Sequence, residues 1–210
     1  MRLKNQSSCG PRAIPFWHHQ NSLPHYEAGE RMQLITYRLF DSMASETLAQ
    51  YQELIEVAKG RLDPRQLSRM ETFLDEGRGS CMLQHESVAR MVCENLLHFD
   101  QVKYKLHAWV IMPNHVHVLI TPVNGFLLSE IVHSWKSFTS KKANKLLNRR
   151  GEFWRRDYFD RLIRDEKHYI RTVEYIHNNP VKASLCLAPE DWQFSSAGII
   201  LEAKQSELRS

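Results

Sequence analysis

His115 and His117 stand one residue apart in the run Met112-Pro113-Asn114-His115-Val116-His117-Val118-Leu119-Ile120. Successive side chains of an extended backbone point to opposite faces, so His115, His117 and Leu119 share one face and Val116, Val118 and Ile120 the other. Residues two apart on one strand face lie about 7 Å from each other, near enough for two neutral imidazoles to converge on one divalent ion. A strand that merely carries two histidines on its wetter face has the same pattern. Two ligands do not complete a metal site, so a third ligand and a reactive group must come from elsewhere in the chain.

The stretch Glu174-Tyr175-Ile176-His177-Asn178-Asn179-Pro180-Val181-Lys182-Ala183 offers both. Positions four apart share a helix face, which makes Tyr175 and Asn179 neighbours, and an amide oxygen is an acceptable ligand for a hard cation. A phenol, with a pKa of about 10, is a weak nucleophile at neutral pH. A nearby divalent cation stabilises the phenolate and polarises a phosphate for attack. Taken without the histidines, a tyrosine such as Tyr175 is more often a core or capping residue.

Several elements must position these groups. Gln33 to Phe40 reads as a strand with Leu34, Thr36, Arg38 and Phe40 on one face and Ile35, Tyr37 and Leu39 on the other. Helices are expected after Ser45, with Leu48, Tyr51, Ile55 and Ala58 buried, after Asp63-Pro64, with Leu67, Met70 and Leu74 buried, and from about Glu86 to His98. Lys103 to Met112 reads as a strand with Tyr104, Leu106, Ala108 and Val110 on one side and Trp109 and Ile111 on the other. Pro113-Asn114 turns it back into the histidine strand, giving an antiparallel hairpin.

A long helix from about Leu128 to Leu147 should bury Leu128, Ile131, Trp135 and Phe138. A short strand should run through Ile163, and a last helix from near Asp165 should stop at Asn179-Pro180. This order of elements predicts an α+β, ferredoxin-like split βαββαβ antiparallel sheet, with residues 41–80 as extra helices in the first crossover. Residues 1–31, interrupted by Pro11, Pro15 and Pro24, read as an N-terminal arm on which His18, His19 and His25 are exposed. Residues 32–197 read as the catalytic domain and 198–210 as a C-terminal tail.

Charge singles out one region. The net charge is only +4, yet residues 133–171 hold 12 Lys/Arg against 5 Asp/Glu, which points to a polyanionic partner. Within it, Gly151 to Arg161 interleaves aromatics with arginines, a composition suited to stacking on bases and holding phosphates, and suited equally to an ordinary sheet strand. The chain has 210 residues, 42% hydrophobic and 25% charged, which fits one globular domain. No apolar run is long enough for a membrane span, and the N-terminus has no signal-like h-region, so a cytoplasmic place is expected. The four scattered cysteines form no C-x-x-C pair and read as reduced thiols.

The segments MPNHVHVLI, GEFWRRDYFDRLIRDEKHY and VEYIHNNPVKASL, in that order, resemble the REP-associated tyrosine transposases, a branch of the single-tyrosine HUH transposases that act on single-stranded DNA. The resemblance spans roughly residues 15–197 and implies the same ferredoxin-like sheet. It implies that His115 and His117 are the paired metal-ligating histidines, Tyr175 the nucleophile, and Asn179 the third ligand rather than Asn178, which lies about 100° around the helix. It also implies a divalent metal, Mg²⁺ or Mn²⁺, and transesterification of single-stranded, hairpin-forming DNA through a 5′-phosphotyrosine. A nucleoid-associated monomer or homodimer would carry this out.

Lys136, Lys141, Lys142, Arg149, Arg150, Arg155, Arg156 and Lys182 are then expected to contact the DNA backbone, and Trp154 to stack on a base. Ser184 stands where many relatives have glycine, and serine does not readily take a strongly positive φ. Two rival readings keep the same residues: a hairpin-binding module without chemistry, and a metal-dependent hydrolase that activates water.

Overall fold

The computed structural model describes residues 16–20, 23–42 and 79–199, and of residues 16–24 only the backbone. The helices expected between Ser45 and Gly77, the side chains of His18 and His19, and the tail from residue 200 lie outside the described residues.

Two hairpin strands come first, β1 (Phe16–Gln20) and β2 (Leu23–Glu27). Then follow β3 (Gln33–Arg38), helix α1 (Glu86–His98), β4 (Tyr104–Ile111), β5 (His115–Pro122), α2 (Leu128–Leu146), β6 (Phe159–Leu162) and α3 (Glu166–Lys182). The main sheet has the order β4-β5-β3-β6, every pair antiparallel. This is the strand order of a split βαββαβ fold. One side of the sheet packs Ile35, Tyr37, Val116, Val118 and Ile120 against Val88, Val92 and Leu96 of α1 and Ile131 and Trp135 of α2. The other side packs Leu34, Ala108, Val110 and Leu119 against Tyr169, Val173 and Ile176 of α3. The histidines share their face with Leu119, so they lie beneath α3.

Four local departures from the sequence expectation have physical causes. In β4 the register shifts between Leu106 and Ala108, so a bulge inserts one unpaired residue and resets the alternation. Tyr104 and Leu106 therefore face the α1/α2 side together with Trp109 and Ile111, while Ala108 and Val110 face α3. Phe138 is not buried on α2. It is 44% exposed, with the Lys142 ammonium 4.9 Å from its ring centroid.

The last helix does not stop at Asn179-Pro180 but runs on to Lys182. Pro180 removes a single amide donor within the last turn, and the real stop is a Schellman motif. Leu185 N–H donates to Pro180 O and Ser184 N–H to Val181 O, with Ser184 left-handed at φ 56°.

The fourth departure is the N-terminal segment. Pro24 does not prevent a strand, because each strand of a two-stranded sheet has a free edge where the missing N–H is not needed. His25 is not exposed but 1% accessible. It bonds Asp160 through Nδ1 at 2.7 Å and stacks on Tyr158 at 3.8 Å. The Glu27 carboxylate accepts from Leu128 N and Ser129 N at 2.8 and 2.9 Å, so an anion seats the hairpin on the positive end of α2.

Candidate functional site

The tight Met112–His115 turn closes with Met112 N–H donating to His115 O at 2.9 Å, and it launches β5 so that both imidazoles enter the space between sheet and α3. Each ring is held through Nδ1. The amide oxygen of Asn114 can only accept, so His115 Nδ1 donates to it at 2.7 Å and the His115 Nε2 lone pair faces away. Thr36 Oγ1, directly across the ladder from His117, lies 2.7 Å from its Nδ1. Both Nε2 atoms consequently point at one spot and approach each other to 3.0 Å.

From the other side, α3 brings the Tyr175 hydroxyl to 3.2 Å from His117 Nε2. Asp165 caps this helix through its Oδ1, which accepts from His168 N at 2.8 Å, so the tyrosine rides on a well-anchored element. The neighbouring residues 115 and 117 and the distant residue 175 are thus brought to one point. Lys182, one helix turn beyond Asn179, places its Nζ 4.9 Å from the Tyr175 ring centroid.

Neither imidazole is accessible to solvent. Burial, then the charge of Arg38, pushes His115 down to about 3. Burial, then His115, Arg161 and Lys182, holds His117 well below the ordinary imidazole range. Both rings are therefore neutral at physiological pH, the form that ligates a metal.

Asn179 is likewise fully buried, and neither its Oδ1 nor its Nδ2 has a hydrogen-bond partner among the described residues. An unpaired buried amide is costly, and a hard cation is the kind of group that would satisfy its oxygen. Among the described residues no cluster of three His, Cys, Asp or Glu could hold a metal. Two neutral imidazoles and an amide oxygen are donors of the kind a divalent cation takes.

The remaining basic residues are dispersed. Lys141, Lys142 and Arg150 are exposed. Arg149 is half-buried, its guanidinium 5.4 Å from the Phe40 ring centroid. Arg155 is half-buried beside the end of β3, with its amide bonded to Arg38 O, and Arg156 is exposed and pairs with Glu152 at 3.4 Å. Lys136 donates to Arg156 O at 2.5 Å, and burial brings its ammonium down to about 8.

Trp154 is not available to stack on a base. It is 5% exposed, donates Nε1–H to Thr139 Oγ1 at 2.8 Å and meets the Tyr37 ring edge-on. An aromatic amid arginines has the same sequence pattern whether it faces solvent or core.

Four residues at this face escape a motif-based reading. Asn114 and Thr36 orient the histidines, and Arg38 and Arg161 contribute charge. Alternation in Gln33–Phe40 does place Thr36 and Arg38 on one face, but only the β3–β5 pairing reveals that Thr36 opposes His117 and Arg38 opposes His115.

Residues 83–179 match the family model described as "Transposase IS200 like". An uncharacterised protein of Haemophilus influenzae is 32% identical over 111 residues, covering 42% of this chain and 60% of the relative. A REP-associated tyrosine transposase of Escherichia coli is 30% identical over 97 residues, covering 44% of this chain and 54% of the relative. The chain thus spans little more than half the length of these relatives.

A solved structure of a REP-associated tyrosine transposase bound to a REP hairpin superposes with a TM-score of 0.50 at 21% identity. It covers 83% of this chain and 81% of that one, and it supports the fold. The chain therefore resembles the REP-associated tyrosine transposases, through an IS200-like transposase segment that contains His115, His117, Tyr175 and Asn179.

Proposed function

We propose that this protein is a single-stranded DNA transposase that cleaves and rejoins DNA at hairpin-forming repeat elements through a 5′-phosphotyrosine. The observation that carries the reading is the meeting of Tyr175 Oη, His117 Nε2 and His115 Nε2 within hydrogen-bond distance, across a sheet and a helix. His115, His117 and Asn179 would hold Mg²⁺ or Mn²⁺, which supplies charge withdrawal from the phosphate and stabilises a phenolate. Tyr175 Oη attacks the phosphorus, and the bond to the 3′ oxygen breaks. The phenol loses its proton and the leaving oxygen gains one, so a phosphotyrosine and a free 3′-hydroxyl result. Lys182, beside the tyrosine ring, favours the anionic nucleophile. The ester linkage is conserved, so a second 3′-hydroxyl can reverse the step without ATP.

In this reading residues 32–197 are the catalytic domain, with 1–31 as an arm docked through His25 and Glu27, 41–80 as an insertion and 198–210 as a tail. Lys141, Lys142, Arg149, Arg150, Arg155 and Arg156 extend the contact to the DNA backbone, and the protein acts at the nucleoid in the cytoplasm as a monomer or homodimer. No helix among the described residues is long and apolar enough to cross a membrane.

The test is to incubate labelled hairpin-bearing single strands with protein and Mg²⁺ or Mn²⁺ and look for a covalent adduct on denaturing gels. Wild type should form it and Tyr175→Phe should not. Cleavage surviving in Tyr175→Phe would assign the chemistry to water. Binding without cleavage by wild type would leave only a hairpin-binding module.

A further inference from the structure

The face that carries His115 and His117 also carries two arginines that the transposase motifs do not include. Register fixes their positions. Arg38 of β3 opposes His115 of β5, Thr36 opposes both His117 and Phe159, and Arg161 of β6 opposes Leu34. Arg38, Thr36 and Leu34 alternate onto the α3 side, as does Arg161, two residues from Ile163 in the same layer. The two arginines therefore flank the Thr36 level, one on each side, displaced along the strands by about 13 Å in all.

Both are poorly compensated. Arg38 is 3% exposed, and its one side-chain hydrogen bond among the described residues is from Nη1 to the neutral Ser42 hydroxyl at 3.3 Å. Asp157 attracts it, but Arg155 opposes that attraction. Arg161 is half-buried, and its Nε is buried with no acceptor among the described residues. Arg38 bears on His115, and Arg161 and Lys182 bear on His117. Buried guanidinium groups require anionic or carbonyl acceptors, and planar N–H forks suit phosphate oxygens.

We infer that Arg38 and Arg161 are phosphate-binding residues, holding the two backbone phosphates on either side of the one presented to Tyr175. At the backbone level the two arginines stand about 13 Å apart along β3, a span that suits an extended single strand laid across it. The inference rests on the reading of the site as one that takes single-stranded DNA. In that setting Arg38 sits at the His115 end of the strand and Arg161 at the far end, so the DNA runs along the β3–β6 side of the histidine pair.

The experiment measures binding of a fluorescent oligothymidine strand by anisotropy in EDTA, over a series of salt concentrations. Each phosphate contact to a single strand contributes about 0.7 to the slope of log affinity against log salt. Arg161→Gln should lower the slope by about 0.7. Arg38→Lys, which keeps its charge, should leave the slope intact, and Arg38→Gln with Arg161→Gln should lower it by about 1.4.

Arg90→Gln, on α1 across the sheet and paired with Glu86, serves as the control and should change nothing. A residue of purely structural importance would alter affinity or melting without moving the slope. An unchanged slope in folded Arg161→Gln protein overturns the inference. The adduct assay separates the two ideas: adduct formation with an unmoved slope sinks the arginine assignment alone, whereas a moved slope without any Tyr175 adduct sinks the transposase reading alone.

Discussion

Asn179 offers a direct trade between stability and ligand binding. Its amide is completely buried, and both polar atoms lack partners. Leaving a buried polar group unpaired costs about 1–3 kcal/mol, and replacing it with an apolar group of similar shape removes that penalty. Leucine is close in size and branches at the same carbon. Asn179→Leu should therefore make the metal-free protein more stable by about 1–3 kcal/mol, raising the melting temperature by about 2–4 °C per kcal/mol for a chain of this size.

Urea unfolding followed by circular dichroism in EDTA measures the gain. Repeating the series with Mn²⁺ should reverse the order. Wild type gains about 2.7 kcal/mol at a hundredfold excess over its dissociation constant, and the variant gains little. A lower urea midpoint for Asn179→Leu in EDTA would refute the claim that the amide is an uncompensated cost. An equal Mn²⁺ gain in both proteins would refute its role as a ligand.

Two further outcomes follow from the geometry. The buried histidines stay neutral in the folded state while the unfolded chain protonates near the ordinary value of 6.5, so the unfolded state binds more protons as pH falls below that value. Stability contributed by the neutral rings is thus complete above about pH 6.5 and is lost downward, continuing to about 3 for His115. At about 1.4 kcal/mol per pH unit for each ring, unfolding free energy should be lower by about 3 kcal/mol at pH 5.5 than at pH 7.5. That difference should roughly halve in His117→Gln, and a flat profile in urea titrations would contradict it. Ser184 holds φ 56° at the end of α3, so Ser184→Gly should stabilise by about 0.5–1 kcal/mol in thermal melts, and a lower midpoint would show that the serine conformation carries no strain.

Some of this protein was legible in its sequence because local rules decide it. Alternation in His115–Ile120 required both imidazoles to share a face with Leu119, whatever the strand paired with. The i,i+4 relation required Tyr175 and Asn179 to share a face of α3. The α1 boundaries Glu86–His98 and the turn at Pro113-Asn114 followed from periodicity and turn chemistry in the same way. Local rules failed where a neighbour in space held the deciding vote.

The bulge at Leu106/Ala108 is set by pairing with β5 and reverses the faces of half of β4. Trp154 is a core residue because Thr139 and Tyr37 surround it, and His25 is buried because Asp160 and Tyr158 receive it.

The sequence by itself determined which groups were available for chemistry and which of them faced the same way along a single strand or helix, since those relations depend only on backbone period. Only the tertiary structure decided that the two faces meet, that Asn114 and Thr36 turn the ring nitrogens to one point, and that the Asn179 amide goes unpaired. It also brought Arg38 and Arg161 to that face. Those relations are long-range contacts between β3, β5, β6 and α3, and no periodicity within any one of these elements encodes them.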